Sequence, residues 1–200
     1  ITKRYDFKVA QPTITAGGSF TTSPQTVTIG CTTEGASIYY TTDGSNPTTS
    51  TTGKTIASGS TIDIKENTTV KAIAVKEEWI SSNAVEATYE FNVECPSITP
   101  SCTFEHGKSI TINLSCNTNG STIYYTTDGS DPTPESAVCN GEITLSETKT
   151  IKAIACKEGW NSSQIVSATY TEKNIVSIPT LSLTPGKYNT IQECIVECAT

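Results

Sequence analysis

The sequence predicts an all-β protein made of tandem β-sandwich modules, and two observations carry that prediction. The first is an internal repeat. Ile38-Tyr39-Tyr40-Thr41-Thr42-Asp43-Gly44-Ser45-Asn46-Pro47-Thr48 returns as Ile123-Tyr124-Tyr125-Thr126-Thr127-Asp128-Gly129-Ser130-Asp131-Pro132-Thr133, with Asn46 replaced by Asp131 as the one change. Recurrence at a fixed spacing marks one supersecondary unit used again. The second is strict alternation of apolar and polar residues, the signature of a strand with one buried face.

The elements follow in order. Val27, Ile29 and Cys31 share one parity in repeat 1, as do Ile110, Ile112, Leu114 and Cys116 in repeat 2, with Ser109, Thr111, Asn113 and Ser115 on the other. The next strand carries Ile38 and Tyr40, or Ile123 and Tyr125, on one face, a pleated surface that β-branched and aromatic residues favour. Thr-Asp-Gly-Ser-Asn/Asp-Pro then ends it: Asp bonds its own backbone, Gly supplies positive φ, and Pro cannot donate to a ladder. Strands follow at Ile62-Asp63-Ile64 and Ile143-Thr144-Leu145, then at Val70 to Val75 and Ile151 to Cys156. Trp79 and Trp160 sit in the turn before the closing strands, Val85 to Phe91 and Ile165 to Tyr170. Short strands divided by turn signals, with no helical periodicity between them, predict a sandwich of immunoglobulin type.

These residues resemble a known family. The IYYTTDGS(N/D)PT strand and turn, the Lys-Ala-Ile-Ala strand at Lys71 and Lys152, the aromatic after the Lys-Glu turn and the closing Ala-Thr-Tyr at Ala87 and Ala168 are similar to the immunoglobulin-like modules at the C-terminus of chitobiase and β-hexosaminidase-type enzymes. Related fibronectin-type-III-associated modules occur in surface proteins of gut bacteria. The resemblance covers about Pro12 to Tyr89 and Pro96 to Tyr170. It implies a non-catalytic accessory or spacer module of a secreted or surface protein, and it brings no catalytic residues.

The repeat also sets the expected organisation. Tyr5-Asp6-Phe7-Lys8-Val9 matches Tyr89-Glu90-Phe91-Asn92-Val93, and Pro179-Thr180-Leu181 matches Pro12-Thr13-Ile14. We therefore expect residues 1–9 to be the terminal strand of a preceding module, 10–93 and 94–173 to be two complete modules, and 174–200 to be the first strands of an incomplete third.

A net charge of -7 offers no basic patch, so nucleic acid is not expected as a partner. No apolar run reaches membrane-span length. Strands rich in Thr and Ser, with no Met, point to an extracellular or cell-surface setting.

The eight cysteines sort by the repeat. Cys31, Cys116 and Cys198 hold one position in successive modules, where we expect Cys31 and Cys116 to be buried free thiols acting as small apolar residues. Two pairs are extra to the pattern, and we expect bridges Cys139–Cys156 and Cys95–Cys102, with Cys116–Cys156 as the rival to the first. Cys194 has no assigned partner. The close cysteine spacings of a zinc site are missing.

Little else points to chemistry. His106 is the only histidine, and Glu77, Glu78 and Glu158 fall in a turn where solvation explains them, so no catalytic residue, cofactor or metal is expected. Asp43, Asn46, Asp128 and Asp131 could offer oxygens to calcium, but they are also what the turn requires. Four sequons, at Asn67, Asn113, Asn119 and Asn161, would matter in a eukaryotic secretory protein. Trp79 and Trp160, with Tyr39 and Tyr124 on the outer face of their strands, invite two readings: a carbohydrate-stacking platform, or indoles that cap the open end of their own sandwich. The leading functional expectation is a rigid spacer array whose partners are neighbouring domains of the same polypeptide. A carbohydrate-binding accessory module that takes cell-surface or dietary glycans is the alternative. A third is an adhesin or fibre subunit that self-associates through open strand edges.

Overall fold

In the computed structural model, residues 6–48, 53–174, 180–181, 186 and 195–197 are described. Module 1 contains β1 (Thr13–Ile14), β2 (Gly18–Phe20), β3 (Gln25–Gly30), β4 (Ser37–Thr41), β5 (Lys54–Ile56), β6 (Ser60–Ile64), β7 (Thr68–Val75) and β8 (Val85–Phe91). Module 2 repeats the series as β9 (Ser97–Thr99), β10 (Phe104–Glu105), β11 (Ile110–Ser115), β12 (Thr122–Thr126), β13 (Ala137–Val138), β14 (Ile143–Leu145), β15 (Lys149–Cys156), β16 (Val166–Tyr170) and β17 (Glu172–Lys173). Two further short strands, β18 (Thr180–Leu181) and β19 (Val196–Glu197), pair antiparallel as β1 and β3 do, with Leu181 opposite Val196 and Ile14 opposite Ile29.

Each module is a two-sheet sandwich of immunoglobulin-like type. In module 1 one sheet runs β1-β3-β6 and the other β2-β8-β7-β4-β5; in module 2 they run β9-β11-β14 and β13-β12-β15-β16, with β10 parallel to β17. The parallel contact has a direct counterpart, since β2 runs parallel to β8 with Phe20 opposite Phe91. Where module 1 closes on one strand, module 2 divides it into β16 and β17 at Thr171.

Alternation places the core. Val27 and Ile29 of β3 face Ile38 of β4 and Val70, Ala72 and Ala74 of β7, all fully buried. In module 2 Ile112 and the half-buried Leu114 of β11 take the places of Val27 and Ile29, and Ile151, Ala153 and Ala155 of β15 those of Val70, Ala72 and Ala74. The closing strand is tied across the sandwich by its tyrosine. The Tyr89 hydroxyl donates to the Thr15 carbonyl, and Tyr170 Oη donates to Pro100 O at 2.6 Å. Burial pushes both phenols above the ordinary tyrosine range.

The repeated turn is built as its residues demand. Gly44 and Gly129 have φ of 75° and 81°, a region only glycine enters without cost. Asp43 Oδ1 accepts from the Ser45 N–H at 2.9 Å and the Ser45 hydroxyl at 2.6 Å, and Asp128 does the same with Ser130. These bonds, led by the serine hydroxyl, hold both carboxyls below the usual aspartate range.

Neither expected disulfide forms: Cys31, Cys95, Cys102, Cys116, Cys139 and Cys156 are all free thiols, while Cys194 and Cys198 lie outside the described residues. The sheet order explains the first pair. Cys139 donates its N–H to Ile123 on one side of β12, whereas Cys156 pairs with Thr122 on the other side. Two strand spacings, about 9.5 Å, exceed the roughly 7 Å between Cα atoms that a disulfide tolerates. For Cys95 and Cys102, the chain changes sheet between them: β9 pairs with β11, while β10 pairs with β17 of the facing layer. Cys31 and Cys116 are half-buried rather than buried, and each thiol donates to a linker carbonyl.

Candidate functional site

A set of non-local polar and aromatic contacts lies where one module meets the next. It begins with the turn after β15. Lys157 O accepts from Trp160 N at 3.1 Å, and Gly159, at φ 75°, makes the bend. The equivalent turn after β7 has the same Lys76 to Trp79 bond, but Glu78 takes the left-handed conformation at φ 63°. Each turn is pinned to its sandwich by a buried serine. Ser82 Oγ accepts from Ala74 N and Ser163 Oγ from Ala155 N, at 2.8 and 2.9 Å.

The Trp160 indole is 9% exposed and packs on Phe91, the last residue of β8, with ring centroids 5.0 Å apart and the ring planes tilted by 43°. Its Nε1–H donates to Lys65 O in module 1 at 2.9 Å, across 95 residues of sequence. The indole thus closes the end of its own sandwich and joins the core of module 1, so that Ala155 of module 2 sits in the same apolar cluster as Val27, Val70 and Phe91. Removing an aromatic side chain of this size from water, about 150–250 Å² at about 25 cal/mol per Å², is worth about 4–6 kcal/mol as an upper bound. Lys157 Nζ lies 4.1 Å from the ring centroid and donates to Asn119 O, covering a face of the indole.

A polar ladder runs beside the stack. Asn161 N donates to Phe91 O at 2.8 Å, and Val93 N donates back to Asn161 O at 3.0 Å. Asn67 N donates to Gly159 O, Asn67 Nδ2 to Asn161 Oδ1, and Phe91 N to Asn67 Oδ1. Gly159 has no room for a side chain, because a Cβ there would lie 2.8 Å from the Glu66 Cβ and 2.6 Å from its carboxylate. The sequon asparagines Asn67 and Asn161 are therefore junction residues.

The linker is held through both backbone polar groups of one residue. Glu94 N donates to Thr118 Oγ1 at 2.9 Å, and Glu94 O accepts from Cys116 Sγ at 3.2 Å. The same clamp recurs before module 1, where Ala10 N donates to Thr33 Oγ1 and Ala10 O accepts from Cys31 Sγ. These cysteines recur because they grip the linker while packing against the core. The turn-to-strand ladder recurs too, with Ile80 N donating to Phe7 O, Val9 N to Ile80 O, and Phe7 stacked on Trp79 at 5.1 Å.

The four residues considered for carbohydrate contact do not converge. Tyr39 pairs with Ile73 and Tyr124 with Ile154 on the outward faces of their strands, while the indoles turn toward the core. Asp43 and Asp128 spend their carboxylates on the turn, and Asp131 accepts from Lys152 Nζ at 2.7 Å. Among the described residues, no three His, Cys, Asp or Glu side chains converge as a metal-ligand set. His106 Nδ1 lies 3.0 Å from Glu172 Oε1 at the far end of module 2.

The sequence of both modules matches the chitobiase/beta-hexosaminidase C-terminal domain, over residues 15–86 and 100–169. The chain belongs to that family. No curated protein matches it significantly. Among solved structures it is similar to the fibronectin(III)-like modules of Clostridium thermocellum CbhA (16% identity, 82% of this chain and 94% of that one, TM-score 0.28). It is also similar to domains 7, 8 and 9 of the S-layer protein SbsC (15% identity, 86% and 64%, TM-score 0.29) and to extracellular domains 3–5 of Drosophila OTK (12% identity, 84% and 60%, TM-score 0.32). At these TM-scores the family assignment rests on the two matched stretches. Among the described residues no helix is long and apolar enough to cross a membrane.

Proposed function

We propose that this chain is a stiff, non-catalytic spacer within a larger extracellular or cell-surface protein, holding a neighbouring domain at a set distance and orientation. One observation carries the reading: the Trp160 indole sits in the core of module 1 while its backbone belongs to module 2, so bending the junction exposes an aromatic stack and breaks the bond to Lys65 O. A linker free of any Gly/Ser tract and clamped at Glu94 adds to the stiffness. The family is named for a C-terminal domain of chitobiase and beta-hexosaminidase, which fits an accessory part of a longer chain. A carbohydrate platform finds less support, because Trp160 has Phe91 and Lys157 against its ring.

Gly159→Glu tests this reading. The matching turn already carries Glu78 at φ 63°, so the turn itself tolerates glutamate, but a side chain at residue 159 collides with Glu66. Small-angle X-ray scattering of the unaltered chain should fit one fixed arrangement of modules 1 and 2, and the variant should require a spread of arrangements with both modules folded. An unaltered chain that already needs such a spread contradicts the proposal.

A further inference from the structure

The two tryptophan turns are built alike, yet only one is covered. Phe91 is fully buried beneath Trp160, whereas Phe7, packed on Trp79 at a similar centroid distance, is 60% exposed, and Ile80, which takes the place of Asn161, is 52% exposed. What covers the Trp160 face is the module 1 turn Lys65-Glu66-Asn67, through Lys65 O on the indole N–H and Asn67 N on Gly159 O. Among the described residues, the Trp79 indole N–H faces no acceptor.

We propose that the Phe7, Trp79 and Ile80 face is a docking surface for the end turn of another sandwich module of this family, and that Glu78 selects which module docks. The inference rests on the spacer reading and adds partner selection to it. A docked turn supplies a backbone carbonyl to Trp79 Nε1, as Lys65 does for Trp160, and shields the Phe7 and Ile80 side chains from water. Gly159 accommodates Glu66 because it lacks a Cβ. Glu78 has a full side chain and a negative charge at that position, so a turn with glutamate at its centre meets both steric overlap and like-charge repulsion. Both such turns of this chain do have it, Glu66 in module 1 and Glu147 in module 2. The partner is therefore a sandwich whose turn carries a small or basic residue there, and a second copy of this chain is rejected.

The test extends the chain by placing a second copy of residues 10–89 directly before Asp6, so that Asp6 and Phe7 continue the closing strand of the added module as Glu90 and Phe91 continue that of module 1. Indole N–H exchange is read by NMR, with the two original tryptophans assigned from Trp79→Phe and Trp160→Phe spectra. With Glu66→Lys in the added copy, exchange at Trp79 should slow at least tenfold relative to the 200-residue chain. With the added copy unaltered it should slow less than twofold, and Glu78→Gly in the original copy should restore the tenfold protection. Equal protection by both turns overturns the selection, and no protection from a folded added module overturns the docking. An added module that fails to fold in either form also overturns it, since Asp6 and Phe7 then complete no sandwich. Trp160 reports separately: exchange as fast as that of a solvent-exposed indole would defeat the spacer reading itself.

Discussion

The ends of β8 and β17 occupy the same place in their modules and do different things. Module 1 puts Phe91 there, fully buried, sandwiched by Phe20 and Trp160. Module 2 puts Glu172 there; its carboxylate accepts from the Gly107 N–H at 2.9 Å and lies against His106. The backbone hardly registers the change, since β10 runs parallel to β17 as β2 does to β8. On the spacer reading, the side chain at the end of the closing strand, more than the sandwich itself, sets whether a following module can share a core with this one. An aromatic there offers apolar area to an incoming indole, whereas a carboxylate already satisfied by a backbone N–H and an imidazole offers none.

Breaking the aromatic exit should have the largest effect. Trp160→Ala removes the stack and the bond to Lys65 O together, and we expect it to cost about 3–5 kcal/mol in urea unfolding, the range for a large aromatic truncated in a core. Unfolding should also become two transitions, because the shared cluster no longer couples the modules. A loss below about 1 kcal/mol with one transition kept would mean that the linker clamp alone carries the junction.

The polar exit should respond less, and to pH. Glu172 is held below the ordinary glutamate range, first by the Gly107 N–H and then by His106, with desolvation opposing. A depressed carboxylate stabilises the fold above its unfolded pKa, near 4.5, and loses that contribution as pH falls through the lower folded value. The melting-temperature difference between the unaltered chain and Glu172→Gln should be steady above about pH 5 and shrink below 4.5. A difference that grows on acidification would reverse the assignment. Because the group lies at the surface, the effect should be small beside that of Trp160→Ala.

Much of the fold was legible because strand patterning is local. Val27 and Ile29, or Ile110 and Ile112, declare their buried face within a few residues, and Asp43-Gly44-Ser45 declares its turn. The junction was not legible in the same way. The recurrence of Trp79 and Trp160 drew attention to the right residues, but nothing adjacent in sequence shows that the indole N–H reaches Lys65, 95 residues away. Two signals were present. Phe7 and Phe91 recur in step with the tryptophans, and Gly159 replaces Glu78 at a position whose φ alone does not demand glycine. The cysteine pairs failed for a related reason: parity and spacing do not reveal that β12 lies between Cys139 and Cys156. Linker-facing thiols at Cys31 and Cys116 look like core residues until the carbonyls of Ala10 and Glu94 are placed beside them.

The central claim is that modules 1 and 2 move as one body through the Trp160 junction. Residual dipolar couplings of the backbone amides test it most directly, because each independently moving body acquires its own alignment. The account predicts that couplings from residues 6–48 and 53–93 and those from 94–173 fit a single alignment tensor of undiminished magnitude. Two tensors of clearly different magnitude in the unaltered chain would contradict it.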